Sequence, residues 1–201
     1  IHNSNLRYNN FFVVKKIEVV GLDKSNNLLL EKKLLDLIGY NIFTLKRESF
    51  KFINSINFVK DYNVKKIYPN QIKVYLVSAE PLSIIEYLNE VVVLGNNEKI
   101  INLENFPTNL PKVTGTNDIK KVFQTLKMIN KSNLDIENIK KIKFFPSDRI
   151  DVEFRNNIKI RFPVNFTIDN LNFSLRLLEN SELNKPKILD LRIPNKVITY
   201  D

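Results

Sequence analysis

Few side chains in this chain combine into chemistry. Histidine occurs once, at His2, and cysteine not at all. His2 falls in the N-terminal lead-in, which leaves no histidine-dependent triad or histidine-rich metal site, and the lack of cysteine excludes a thiol nucleophile, a disulfide and thiolate metal sites. The four glycines, Gly21, Gly39, Gly95 and Gly115, are too dispersed for a phosphate loop or a dinucleotide fingerprint. The nearest thing to a carboxylate cluster is Asp148, Asp151 and Glu153. These stand at a strand start beside Arg149 and Arg155, which reads as exposed hairpin charge, because acid–base or metal work needs convergent geometry. The chain therefore reads as non-catalytic, with no cofactor and no metal. Its function falls to its surfaces.

Composition bounds what those surfaces belong to. The 201 residues are 43% hydrophobic and 26% charged, an ordinary globular balance and enough chain for two small domains. No apolar run reaches the roughly 18 residues of a membrane span. The chain opens on Ile1 rather than Met, which reads as a part of a longer protein. Plentiful Lys, Asn, Ile and Phe with no Trp read as the bias of an AT-rich genome. Net charge is +9, and residues 1–85 carry 13 basic against 7 acidic residues, the remainder 18 against 15. The lysines fall as scattered pairs: Lys15-Lys16, Lys32-Lys33, Lys65-Lys66, Lys120-Lys121 and Lys140-Lys141. That distribution reads as a solvated Lys-rich surface and not as a nucleic-acid module, which would interleave clustered cations with stacking aromatics.

The elements that must position any site follow from periodicity. Residues 1–11 read as a flexible lead-in. A strand over 12–20 ends at Gly21. A helix over 29–38 buries Leu30, Leu34, Leu37 and Ile38 and stops at Gly39, and a second over 46–55 turns Phe50 and Ile53 inward. Strands over 58–67 and 71–77 flank the turn Tyr68-Pro69-Asn70, where Pro69 presets φ and cannot donate to a ladder. In the second of these strands Ile72, Val74 and Leu76 alternate with Lys73, Tyr75 and Val77, the period of a half-buried strand. Strand, helix, helix, strand, strand makes a small α+β module, two helices on one face of a three-stranded sheet.

Beyond Pro81 the pattern turns mostly β. Strands are expected over 82–88, 91–94, 99–101 and 139–145, with an extended link at 110–115. Helices are expected over 118–130, capped by Asp118, and over 165–179. Ile150, Val152 and Phe154 match Ile158, Ile160 and Phe162 across a three-residue loop, Arg155-Asn156-Asn157, in which an asparagine takes the left-handed position. A single last strand is expected over 187–200. In it Leu189, Leu191 and Ile193 face inward while Asp190 and Arg192 carry charge on the other side. A strand added last is often an edge, whose unpaired N–H and C=O groups a partner strand can complete.

Several segments carry a family resemblance. Val19-Val20-Gly21 is similar to the V-x-G that closes the first strand of POTRA domains, and Gly39-Tyr40-Asn41-Ile42-Phe43 to their G-x-N-I/L-F between helices. Residues 58–69 resemble the hairpin W/F-V-x-x-A-x-V-x-R/K-x-x-P. Residues 94–101 resemble the hairpin opening of a following β-domain, Leu110-Pro111, Val113 and Gly115 its L-P-x-V-x-G, and Leu189-Asp190-Leu191-Arg192-Ile193-Pro194 its terminal x-D-L/M-R-x-x. Taken in this order, the matches resemble the extracytoplasmic region of the FtsQ/DivIB cell-division family. The resemblance implies an α+β fold with a POTRA domain over 12–81 and a mostly antiparallel β-domain with two helices over 82–201. It implies a non-catalytic scaffold of the bacterial divisome, on the periplasmic side of a single-pass inner-membrane protein whose anchor lies upstream. The implied partners are FtsB-like and FtsL-like proteins, with other division proteins at the POTRA domain and no nucleic acid. The implied partner-binding residues are Arg192, Ile193, Asn195, Lys196, Val197 and Thr199, although Arg192 can equally pair with Asp190 inside the chain. The competing reading is a POTRA-type periplasmic chaperone module of an outer-membrane assembly or secretion machine.

Overall fold

A computed structural model describes residues 11–101, 107–179, 186–194 and 196–200. The lead-in, apart from Phe11, and Asn195 lie outside the described residues. The chain divides at Glu80/Pro81 into two units, each with its own core and its own sheet.

The first unit runs β1 (Lys16–Val20), α1 (Lys24–Leu34), a 3₁₀ turn (Leu35–Leu37), a longer 3₁₀ helix (Arg47–Ser55), β2 (Val59–Ile67) and β3 (Gln71–Ser78). β3 is central, parallel to β1 and antiparallel to β2. The reason lies in its alternation, since Ile72, Val74 and Leu76 are all buried and pack with Leu30, Leu34, Phe50 and Ile53 from the helical layer. The Tyr68–Pro69 peptide in the β2–β3 turn is cis.

Two boundaries differ from expectation. α1 begins five residues early because the Asp23 carboxylate accepts from the Asn26 backbone N–H at 3.0 Å and supplies the N-cap. It tightens into the 3₁₀ turn after Leu34, so Leu37 is only partly buried and Ile38 is exposed. The first strand starts at Lys16 and not at 12. Residues 12–14 pair instead with the loop after α1, where Val14 N donates to Tyr40 O at 2.9 Å and Ile42 N to Phe12 O at 2.8 Å.

The second unit runs β4 (Pro81–Tyr87), β5 (Glu90–Gly95), β6 (Ile100–Ile101), β7 (Lys112–Thr114), α2 (Ile119–Lys131), a 3₁₀ turn (Ile136–Asn138), β8 (Ile139–Phe144), β9 (Ile150–Phe154), β10 (Lys159–Phe162), α3 (Ile168–Glu179), β11 (Ile188–Asp190) and β12 (Ile198–Tyr200). They form one nine-stranded sheet in the order β12-β11-β10-β9-β8-β7-β4-β5-β6. Five neighbouring pairs are antiparallel, while β4–β7, β7–β8 and β10–β11 are parallel. Val122, Leu126 and Ile129 of α2 and Leu171 of α3 join Ile142, Val152, Ile160 and Leu189 in one core, which places both helices on one face.

The β9–β10 hairpin has the expected register, with Val152 opposite Ile160, Ile150 opposite Phe162 and Asn157 at φ 66°. Two expectations fail. The link at 110–115 contains β7, a strand inside the sheet, which three residues without alternation did not disclose. The single strand over 187–200 is instead the antiparallel pair β11 and β12. Asp190 accepts from the Arg192 backbone N–H at 3.1 Å, and Lys196 N donates to Ile193 O at 3.1 Å, so the chain reverses between them. As a consequence β12, not β11, is the edge.

Candidate interaction site

Sheet register gathers the charges that are distant in sequence. Lys143 on β8 stands opposite Asp151 on β9, Asp151 opposite Arg161 on β10, and Arg161 opposite Asp190 on β11. The neighbouring row, Ile142, Val152, Ile160 and Leu189, belongs to the helix-covered core. Successive side chains alternate in a strand, so the charged row lies on the opposite face.

Asp190 is the hub of this row. It was expected to carry charge on an open face, yet it is only 2% exposed. Arg192 Nε donates to its Oδ1 at 2.8 Å, and Arg161 Nη1 donates to Oδ2 at 3.4 Å. Together with the Arg192 backbone N–H these account for the carboxylate's burial. The Arg192 guanidinium is the main cause holding the Asp190 carboxyl below its ordinary range, and the carboxylate in turn raises Arg192. Asp151 is shifted the other way. Burial pushes its carboxyl up, only partly offset by Arg149, Arg161, Lys159 and Arg192, and its Oδ1 is enclosed without a hydrogen-bond partner. On the edge strand the half-exposed Tyr200 ring lies 5.7 Å from the Arg161 guanidinium carbon.

The residues assigned to partner binding divide accordingly. Arg192 is tied to Asp190 within the hairpin. Ile193, Lys196, Val197 and Thr199 are exposed, Ile193 contrary to its expected inward position. Exposed Tyr200 joins Ile193 and Val197 as apolar surface on the 193–200 segment. The roles of Asp151 and Asp190 were not legible from spacing along the chain. The available signal was the register of the β9–β10 hairpin, which already placed Asp151 beside Arg161.

The carboxylates weighed for acid–base work do not converge. Asp148 pairs with Lys121 and Glu153 with Lys140, and Asp151 sits among arginines. Among the described residues no three His, Cys, Asp or Glu side chains could hold a metal ion.

A second surface lies on the first unit. A groove of about 540 Å³ runs between the start of the longer 3₁₀ helix and β2, lined by Leu45, Lys46, Arg47, Phe50, Tyr62, Asn63, Val64 and Lys66. β2 is an edge of its sheet, and the Tyr62 hydroxyl is enclosed without a hydrogen-bond partner.

No protein-family model matches the chain, and no curated protein does. Among solved structures it is similar to the major extracytoplasmic domain of the trans isomer of the bacterial cell division protein DivIB from Geobacillus stearothermophilus. Identity is 13% and the TM-score 0.40, over 53% of this chain and 96% of that one. Among the described residues, no helix is long and apolar enough to cross a membrane.

Proposed function

We propose that this chain is a non-catalytic scaffold of the bacterial division machinery, whose β11–β12 hairpin binds an FtsB-like partner and, through it, an FtsL-like one. The observation that carries the reading is β12 at the end of the nine-stranded sheet, paired to β11 on one side only among the described strands. Such an edge can accept a further strand through main-chain hydrogen bonds, with Ile193, Val197, Thr199 and Tyr200 supplying side-chain selectivity. The ordered resemblance of its segments to the FtsQ/DivIB family supports the choice of partner. By the same resemblance the first unit is a POTRA domain, and the whole lies in the periplasm at the division septum, below an inner-membrane anchor.

Calorimetry of the chain with the periplasmic segment of an FtsB-like protein from the same organism tests the proposal. Saturable binding is expected. Ile193→Asp/Val197→Asp should weaken it by at least about tenfold, since charges placed at exposed apolar positions tax the interface without opening the core. Arg192→Ala is a poorer probe, because it strips Asp190 of its main partner and changes the hairpin itself. Binding that survives the double variant would move the site off this hairpin. No binding, with or without an FtsL-like partner, would remove the function.

A further inference from the structure

The first unit carries an exposed aromatic ladder at one end. Phe11, Phe12, Phe43 and Tyr68 follow one another with ring centroids 5.2, 5.0 and 5.2 Å apart. Phe12 is rooted against the core, whereas Phe11, Phe43 and Tyr68 are 57%, 55% and 55% exposed. Three segments far apart in sequence build this end. Backbone pairing joins 12–14 to 40–42, Lys15 N donates to Asn70 O at 2.8 Å, and Lys16 stands opposite Gln71 where β1 and β3 begin.

The charge of the same end is one-sided. Segments 11–16, 39–47 and 65–71 contain Lys15, Lys16, Lys46, Arg47, Lys65 and Lys66 and no Asp or Glu, and Glu48, the next residue after Arg47, pairs with Lys51 at 3.7 Å. Lys46, Arg47 and Lys66 share the groove beside β2. The nearest acid on β1, Glu18, is 4.0 Å from Lys16 and is already engaged by Lys73 at 2.7 Å.

We infer that this end of the first unit seats on an anionic lipid surface. Exposed rings carried by segments that also bear lysines and an arginine match the composition of the membrane–water interface, where aromatic rings lie at headgroup depth and lysines or arginines meet lipid phosphates. The packing of the rings disfavours single-stranded nucleic acid. Each ring in the middle of the ladder spends its contact on neighbouring rings about 5 Å away, which leaves no slot for a base to stack between them. The inference does not depend on the partner assigned to β12.

Flotation of the chain with phosphatidylcholine vesicles, with and without about one-third phosphatidylglycerol, tests it. Binding to the anionic vesicles is expected, weakened by salt. Phe43→Ser/Tyr68→Ser should weaken it about tenfold, and Lys15→Gln/Lys65→Gln about fivefold per charge removed. Lys120→Gln/Lys127→Gln, an equal charge loss on the second unit, should leave it within about twofold. Phe43→Trp gives a chain otherwise without tryptophan a reporter, whose emission should shift blue and be quenched by brominated lipid. Failure to float with anionic vesicles would overturn the inference. So would equal losses in the control and patch variants, or a reporter emission indifferent to lipid. Oligonucleotide binding lost with the same rings, without vesicle binding, would replace lipid by nucleic acid.

Discussion

Asp190 and Asp151 are neighbours across Arg161 whose carboxyls are shifted in opposite directions, and the difference is a matter of donors. Asp190 receives N–H groups from Arg192 and Arg161, whereas Asp151 has an oxygen with none. A depressed folded pKa means that ionised Asp190 stabilises the fold at every pH above the ordinary Asp value of about 3.9, and that this contribution is lost as pH falls through the folded value. A raised folded pKa means the reverse for Asp151. Its ionised form weakens the fold at neutral pH, and protonation relieves the cost as pH falls through that raised value. On acidification Asp151 should therefore contribute added stability, and Asp190 a loss of it at lower pH. Urea midpoints measured against pH check both limbs: Asp151→Asn should flatten the first, and Asp190→Asn the second.

At the scale of elements, close approach of neighbouring strands decides what the sequence tolerates. Gly115 follows β7 at φ +87°, and a Cβ there would collide with the Phe144 backbone carbonyl on β8. Gly21 repeats the device after β1, at φ +114° against the Leu76 carbonyl on β3. Gly115→Ala must either move the backbone or separate the strands, and should cost at least about 1–3 kcal/mol, read as a lowered urea midpoint. An unchanged midpoint would mean that β7 is free to shift. The β11–β12 hairpin shows the opposite economy. A short local bond set, from Asp190 to Arg192 and from Lys196 to Ile193, turns the chain and leaves Ile193, Val197 and Tyr200 outward. An edge strand so short blunts indiscriminate pairing, and side-chain contacts then have to supply much of any partner's affinity.

For the whole molecule, each unit closes its own core. That of the second unit draws on residues from Ile85 to Leu191, all beyond the division at Glu80/Pro81. A fragment of residues 81–201 is expected to retain its secondary structure and unfold cooperatively, checked by circular dichroism in urea. Non-cooperative melting would show that the core needs residues from before Pro81. The +9 charge likewise acquires meaning only at this scale. Two of the lysine pairs, Lys15-Lys16 and Lys65-Lys66, lie 49 residues or more apart along the chain yet fall at one end of the first unit, because β1, β3 and the loop after α1 begin or turn there.

Much of the architecture is legible in the amino-acid sequence. Alternation of Ile72, Val74 and Leu76 identified a half-buried strand. The spacing of Val122, Leu126 and Ile129 identified a helix face, and Arg155-Asn156-Asn157 a three-residue loop, all of which the structure contains. These are short-range properties, set by side-chain period, capping and backbone sterics, so the sequence by itself determines them. The absence of cysteine and the lone His2 likewise bounded the chemistry. Only tertiary structure decided that 110–115 holds a sheet strand, that the chain reverses after Asp190, and which acid and arginines become neighbours. Such facts depend on register between strands distant in sequence. The Asp190–Arg192 pair is local and was open to the sequence, but nothing near Asp190 announces the second arginine, Arg161, which comes from 29 residues away.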